Sequence, residues 1–291
     1  MQLHRLQPLV PRAYALAPAR VLVALQLTEA DQETLRLARE LASRGAKVAL
    51  CHAVADDDLA HADDLGEAIA DRHWAVHSQA RTLTGGADIE IFLDVGEPHD
   101  VVSRYAAEWR AQQVLIGHVP TEGLFRHVTG GIAKVVRHSP CSVVIARPRR
   151  DGGHIVIGTD LSEASRPAMR AAAAEQVRTG ATATLVHCVE PAFAAGPTGI
   201  EGAVPPIDPA ELDDQLTVDL LAEASSVGLR ATPLVLHAPA ARGLIDVATD
   251  TEADLLILAT AGRTGIRRLL LGSVAEAVAS DAPCTVLVAR S

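Results

Sequence analysis

The sequence lacks the features that mark membrane, disulfide-bonded and nucleic-acid-binding proteins. No stretch of about 18 apolar residues occurs, so we expect no membrane span. The four cysteines are far apart and none forms a CxxC pair, which predicts reduced, buried thiols. The net charge of −10 does not supply the cationic face that sequence-independent binding of nucleic acid requires. With only 2% aromatic residues, Ala, Val and Leu must fill the core.

The N-terminal segment shows no secretory signal. Pro8, Pro11 and Arg12 interrupt it before the apolar stretch of a signal peptide could form. We therefore expect a short N-terminal tail and a cytoplasmic protein.

Acidic charge is concentrated in the second part of the chain. Residues 1–150 carry 17 basic and 18 acidic side chains, whereas residues 151–291 carry 9 basic and 18 acidic ones and no lysine. The length of 291 residues and the 48% of hydrophobic residues suit two packed domains. An anion site in this acidic second domain would therefore need its own local source of positive potential.

The sequence contains an internal repeat. The segment that begins RVLVALQLTEADQETL at Arg20 aligns with the segment that begins HIVIGTDLSEASRPAM at His154. A later segment from Val114 aligns with one from Leu255, and both copies have a glycine-containing loop followed by a helix and a strand. One domain has been duplicated.

Each copy has the pattern of a parallel α/β fold. Short apolar runs such as VLVAL and LLILA alternate with longer segments of helical period. We predict two tandem doubly wound domains, each an open, mostly parallel sheet of five strands with helices on both faces. The predicted domains cover residues 1–150 and 151–291, with 147–153 as linker. Residues 56–64 and 194–209 are predicted loops.

The second copy carries an informative loop after its fourth strand, at the edge where open α/β sheets bind ligands. From Ala259 it reads A-x-x-G, nine residues, then G-S. Gly262 allows positive φ and a close approach to an anion. Gly272 and Ser273 begin a helix whose N–H groups attract phosphate, and Arg263 adds positive potential. The loop therefore predicts an anion site.

This loop resembles the signature G-2x-G-9x-G-[S/T] of the universal stress protein family, and the repeat is similar to its tandem members. The resemblance implies ATP with Mg²⁺ in the second domain, a regulatory role in stress response, and binding rather than turnover, with at most slow hydrolysis. Asp160, at the end of the first strand, would lie beside the adenosine. The resemblance assigns these residues to the nucleotide: Gly158, Thr159, Asp160, Cys188, Ala259, Gly262, Arg263, Gly272, Ser273, Val274 and Ala275.

Two positions leave alternatives open. Asp160 or Ser162 can cap the following helix instead of serving a ligand. Ala259 replaces the first glycine of the signature, which is harmless in an extended conformation and damaging if positive φ is needed there.

The first copy departs from the signature. Gln26 replaces the aspartate, Pro120 replaces the second glycine, and Gly131 replaces the serine. Since Pro120 has no N–H and a fixed φ, we expect no functional ATP site in the first domain. Two alternatives remain for the first domain: a structural role, or the binding of a smaller ligand by His118 and the helix start at Gly130.

Other constellations point to no chemistry. His73 and His77 lie four apart on a predicted helix without a third metal ligand nearby, so we expect an exposed helix face and no metal site. Neither a Walker loop nor a G-x-S-x-G motif occurs, which excludes a P-loop ATPase and leaves no nucleophile paired with a base.

Two functions remain open at this point. The first is an ATP-binding regulatory protein, and the alternative is a nucleotide-free module that docks an unidentified protein partner. The resemblance also implies that the fifth strands, from Ser142 and Thr285, pair antiparallel, and it leaves a homodimer possible.

Overall fold

The structure, a computed structural model, describes residues 18–55, 65–84, 89–118, 129–148, 153–190, 209–260 and 271–290. The strands of this part are β1 (Arg20–Leu25), β2 (Lys47–Val54), β3 (Glu90–Val95), β4 (Gln113–Gly117), β5 (Ser142–Ala146), β6 (His154–Gly158), β7 (Thr182–Cys188), β8 (Thr232–Leu236), β9 (Leu255–Ala259) and β10 (Thr285–Ala289).

The helices of the same part are α1 (Asp31–Ser43), α2 (Leu65–Thr84), α3 (Pro98–Glu108), α4 (Thr129–His138), α5 (Arg166–Thr179), α6 (Pro209–Ser226), α7 (Ala240–Asp250) and α8 (Ser273–Asp281). A 3₁₀ turn over Glu163–Ser165 leads into α5. We refer to residues up to 148 as the first half and to residues from 153 onward as the second half.

Within the described residues the strands form one sheet in the order β3-β2-β1-β4-β5-β10-β9-β6-β7-β8. Neighbouring strands are parallel inside each half, and β5 pairs antiparallel with β10, with Val144 opposite Leu287. The predicted fold class and the predicted antiparallel pairing of the fifth strands are confirmed. Because β5 and β10 are the inner edges of the two halves, their pairing covers both edges.

Helices cover the two faces of this sheet and produce two apolar layers. One layer packs α3, α4, α7 and α8 against the strands, and the other packs α1, α2, α5 and α6. Each layer contains buried residues from both halves. Strands with helices on both faces need apolar side chains at every position, and all five residues of β10 are indeed buried.

The predicted linker begins at a residue that is part of the core. Arg147 directly follows β5, and the pairing of β5 with β10 places it against the second half. It is therefore only 4% exposed. The predicted boundary at residue 150 falls outside the described residues and stays a prediction, as do the predicted loops over 56–64 and 194–208. Pro209, predicted as the end of a loop, is the first residue of α6.

Candidate functional site

A cavity of about 650 Å³ opens at the carboxyl ends of β6, β7 and β9. Most of the sequence-predicted site residues line it together: Gly158, Thr159, Asp160, Cys188, Ala259, Gly272, Ser273, Val274 and Ala275. Gly262 and Arg263 lie outside the described residues. The duplicated βαβ order places these separate segments at one edge of the sheet, as expected for an open α/β fold.

Asp160 lies in a tightly bonded turn at the end of β6. Its carboxylate accepts hydrogen bonds from the N–H of Ser162 at 3.1 Å and from the hydroxyl of Ser162 at 2.6 Å. Leu161 between them has a φ of 61°, a conformation that a non-glycine residue adopts only when its surroundings fix it. Neither Asp160 nor Ser162 caps the next helix through its side chain, so Asp160 holds the turn itself.

Ala259 has a backbone conformation that does not require glycine. Ala259 is the last residue of β9, pairs with Ala289 of β10 and has no positive φ. A Cβ atom is therefore compatible with its backbone, and the replacement of the first signature glycine introduces no strain at this position.

The first turn of α8 presents backbone donors to the cavity. Gly272 precedes the helix in an extended conformation, and no side chain caps the helix start. The N–H of Gly272 donates to the carbonyl of Thr260, and the first bond inside the helix comes from Glu276. The N–H groups of Ser273, Val274 and Ala275 thus have no acceptor among the described residues, and they can bind an anion.

Part of the cavity wall is apolar. Leu212 and Leu216 of α6 and Leu244 of α7 line it together with Cys188. A Cβ on Gly158 would lie 2.8 Å from Cδ1 of Leu244, so a larger residue at this position would need the Leu244 side chain to move. These apolar side chains offer surface of the kind that accepts an aromatic ring.

None of the four cysteines forms a disulfide, and the prediction that all of them are buried is wrong. Cys51 and Cys284 are buried, whereas Cys141 and Cys188 are partly exposed. Burial still raises the pKa of the Cys188 thiol to about 11, and the nearby Glu190 carboxylate adds to the shift. Cys188 therefore contacts the cavity as a neutral thiol.

Several residues of the cavity carry no signal in the sequence. Leu212 and Leu216 lie one helical turn apart on α6, but the sequence does not show that α6 reaches this edge of the sheet. His187 is buried, and its Nδ1 lies 2.9 Å from the carbonyl oxygen of Thr159. Glu190 follows β7 by two residues, so its place after a strand end was the one available sign of its position.

The described wall of the cavity carries acidic charge but no Lys or Arg. Asp160 and Glu190 are its carboxylates. Among the described residues, positive potential at the cavity therefore comes from the start of α8.

The corresponding strand ends of the first half are in direct contact. The side-chain amide of Gln26 donates to the carbonyl of Gly117 at 2.6 Å, joining the ends of β1 and β4. A Cβ on Gly117 would lie 2.5 Å from the carbonyl oxygen of Ala30, so the loop after β1 lies directly against β4. The Asp31 carboxylate, 1% exposed, fixes this loop by accepting the N–H groups of Gln26 and Leu27. Pro120 lies outside the described residues, and Gly131 is exposed in the first turn of α4.

The other predicted features have simple surroundings. His73 and His77 are exposed on α2, with their Nε2 atoms 3.1 Å apart. No group of three or more potential metal ligands occurs among the residues that the structure describes. In the same residues, no helix is long and apolar enough to cross a membrane.

Comparison with known proteins gives a consistent result. The sequence matches the universal stress protein family over residues 19–147 and again over 153–290. A universal stress protein of Methanocaldococcus jannaschii is 39% identical over 67 residues, which are 23% of this chain and 39% of that protein. One of Thermus aquaticus is 28% identical over 142 residues, which are 47% of this chain and 97% of that protein.

A solved structure covers nearly the whole molecule. A universal stress protein from Archaeoglobus fulgidus aligns with 95% of this chain and 97% of its own, with a TM-score of 0.69 and 14% sequence identity. At this identity the likeness concerns the fold. The chain matches less than two thirds of the length of the relative from Methanocaldococcus jannaschii.

Proposed function

The chain belongs to the universal stress protein family, and we propose on that premise that its second half, within the predicted domain 151–291, binds ATP with Mg²⁺ as a regulatory ligand in the stress response. The first half, within the predicted domain 1–150, serves as a structural partner without an ATP site of its own. The proposed site consists of the residues predicted from the sequence, including Gly262 and Arg263.

One observation carries this proposal: residues predicted from four separate stretches of sequence line a single cavity. The cavity volume of about 650 Å³ lies within the range of about 300–1,000 Å³ that is usual for small-molecule sites. Its lining also offers the two kinds of surface that a nucleotide requires, apolar side chains such as Leu244 and the backbone donors at Ser273.

The proposed mode of binding follows from these two kinds of surface. The adenine packs against Cys188, Leu212 and Leu244, and the Asp160 carboxylate accepts a hydrogen bond from the nucleoside. The phosphates lie at the first turn of α8, where three N–H groups and the helix dipole favour negative charge. Mg²⁺ supplies charge neutralisation to the phosphates when it is bound with them.

The proposed action is binding without rapid turnover. The hydroxyl of Ser162 donates to the Asp160 carboxylate within the turn. This arrangement fixes a loop and does not activate a nucleophile toward the start of α8. We therefore expect any hydrolysis of ATP to be slow.

Exchange of one residue between the halves tests the proposal. Asp160→Gln places the first-half residue in the second half, and Gln26→Asp is the matched change in the first half. Loss of a charged hydrogen-bond acceptor is worth about 1.5–3 kcal/mol, so the Asp160→Gln variant should bind ATP roughly 10- to 100-fold more weakly. Gln26→Asp should leave the affinity unchanged.

The measurement is calorimetric titration of the full chain with Mg²⁺ and ATP, preceded by mass spectrometry of small molecules released on denaturation. An equal loss of ATP affinity in the two variants would contradict the assignment of the site to the second half. If no adenine nucleotide is released on denaturation and the titration shows no binding of ATP, the proposal fails and the nucleotide-free docking module is favoured.

A further inference from the structure

Helix α8 connects the cavity of the second half to the first half of the molecule. Its first turn, from Ser273 to Ala275, lines the cavity, and its last turn reaches Asp281. No basic residue of its own lies in that last turn. A side chain that neutralises the negative pole of this helix would therefore have to come from elsewhere in the fold.

Arg147 of the first half supplies a cation at this end of α8. Its guanidinium donates to the carbonyl of Ala279 at 2.6 Å, to that of Ser280 at 3.0 Å and to that of Cys284 at 3.4 Å. The side chain is 4% exposed, and its backbone is held by two hydrogen bonds with the Thr285 hydroxyl, both 3.2 Å. Nε2 of His118, also from the first half, lies 3.1 Å from the carbonyl oxygen of Ser280.

Such a buried cation acts at the other end of the helix as well. Neutralising the negative pole of α8 removes the charge that opposes its positive pole at Ser273. A helix of nine residues is about 13.5 Å long, so a phosphate at the first turn also feels the positive charge directly through weakly polarisable protein. This matters here because the described wall of the cavity contains carboxylates and no Lys or Arg.

We propose that Arg147 is a positioning residue for the phosphate end of the site, so that the first half completes the nucleotide site of the second. This inference rests on the proposed binding of ATP by the second half. It assigns the first half a role in the affinity of a ligand that it does not touch.

The molecule contains its own control for this idea. Arg290 follows β10 as Arg147 follows β5, and its guanidinium donates to the carbonyls of Val136 and Arg137 at 3.2 Å each. These carbonyls lie in the last turn of α4, the helix of the first half that corresponds to α8. Arg290 thus makes the same kind of contact, but with a helix that does not line the cavity.

The experiment compares Arg147→Met with Arg290→Met in the full chain, using calorimetric titration with adenosine, AMP and ATP. Arg147→Met loses a buried cation and Arg290→Met a partly buried one, each with its hydrogen bonds, and thermal unfolding should show that both are less stable. Coulomb's law over about 14 Å at an effective dielectric constant of about 20–40 predicts about three- to eightfold weaker binding per unit of phosphate charge. Only Arg147→Met should show this loss.

The dependence on phosphate charge separates positioning from damage to the fold. We expect Arg147→Met to leave the affinity for adenosine nearly unchanged, to weaken AMP, and to weaken ATP most. Arg147→Lys, which keeps the charge, should restore most of the affinity for ATP. Equal losses for adenosine and ATP, or equal losses from Arg147→Met and Arg290→Met, would overturn the inference.

If Arg147→Met does not fold, Arg147→Gln takes its place, because it removes the charge but keeps a hydrogen-bond donor for the carbonyls of α8, and unchanged ATP affinity in that variant would also overturn the inference. If the unaltered protein binds none of the three ligands, the proposed function has failed, whereas binding by the unaltered protein with no effect at Arg147 refutes this inference alone.

Discussion

Replacing Ser273 with aspartate places a negative charge where the phosphates are proposed to bind. Ser273 is the first residue of α8 and its side chain is exposed, so a carboxylate fits without repacking. A carboxylate in the first turn stabilises a helix by about 0.3–1 kcal/mol. A bound phosphate about 4 Å away would be repelled by about 1–4 kcal/mol, depending on its exposure to water. The variant should therefore be as stable as the parent or more so, yet bind ATP roughly 5- to 1,000-fold more weakly.

The matched control for this variant is Gly131→Asp, in the first turn of α4. Gly131 is exposed, and a Cβ on it would have no atom within 4 Å. Urea unfolding should show both variants folded, and calorimetric titration with Mg²⁺ and ATP should show a loss only for Ser273→Asp. Undiminished affinity of Ser273→Asp would mean that the phosphates do not lie at the start of α8. The reasoning from the helix terminus would then be refuted.

Two predictions concern stability. Gly117→Ala should lower the free energy of unfolding by about 1–3 kcal/mol, because the added Cβ would lie 2.5 Å from the Ala30 carbonyl oxygen. Urea unfolding measures this loss, and a loss no larger than that of Ala259→Gly would contradict the contact. Burial, together with the charge of Arg147 at His118, holds the pKa values of His118 and His154 below the usual range. The unfolded chain then binds protons that the folded chain does not, so stability should fall as pH drops below about 6.5. His154→Gln should flatten this dependence, and an unchanged slope would exclude His154 as a contributor.

Much of the fold follows from the sequence because its signals are local. Apolar runs such as VVIA in β5 and TVLVA in β10 are buried on both faces, and alternation with helical segments sets the order of the strands. The candidate site is predictable for the same reason. Gly158 is the last residue of β6, and Asp160 and Gly272 lie within two residues of the end or start of an element. The carboxyl ends of the strands in a doubly wound sheet lie at a known edge.

The remainder depends on contacts between distant positions. Arg147 stands in a charged, glycine-containing stretch that indicates a linker, and its partners are backbone carbonyls of Ala279 and Ser280, more than 130 residues away. Every residue has a carbonyl, so no pattern of side chains marks the acceptors. Leu212 reaches the cavity in the same unpredictable way, through the position of α6 against the sheet.

The two halves differ by one methyl group at the end of the fourth strand, where the first half has Gly117 and the second has Ala259. Gly117 lets the loop after β1 approach so closely that a Cβ would lie 2.5 Å from the Ala30 carbonyl, and the Gln26 amide then reaches β4 directly. Ala259 is the last residue of β9 and occupies the corresponding position, where a loop packed as closely as that of the first half would clash with its methyl group. Ala259 and Asp160 instead both line the cavity. The departure from the glycine signature at Ala259 is therefore compatible with an open space between the strand ends of the second half.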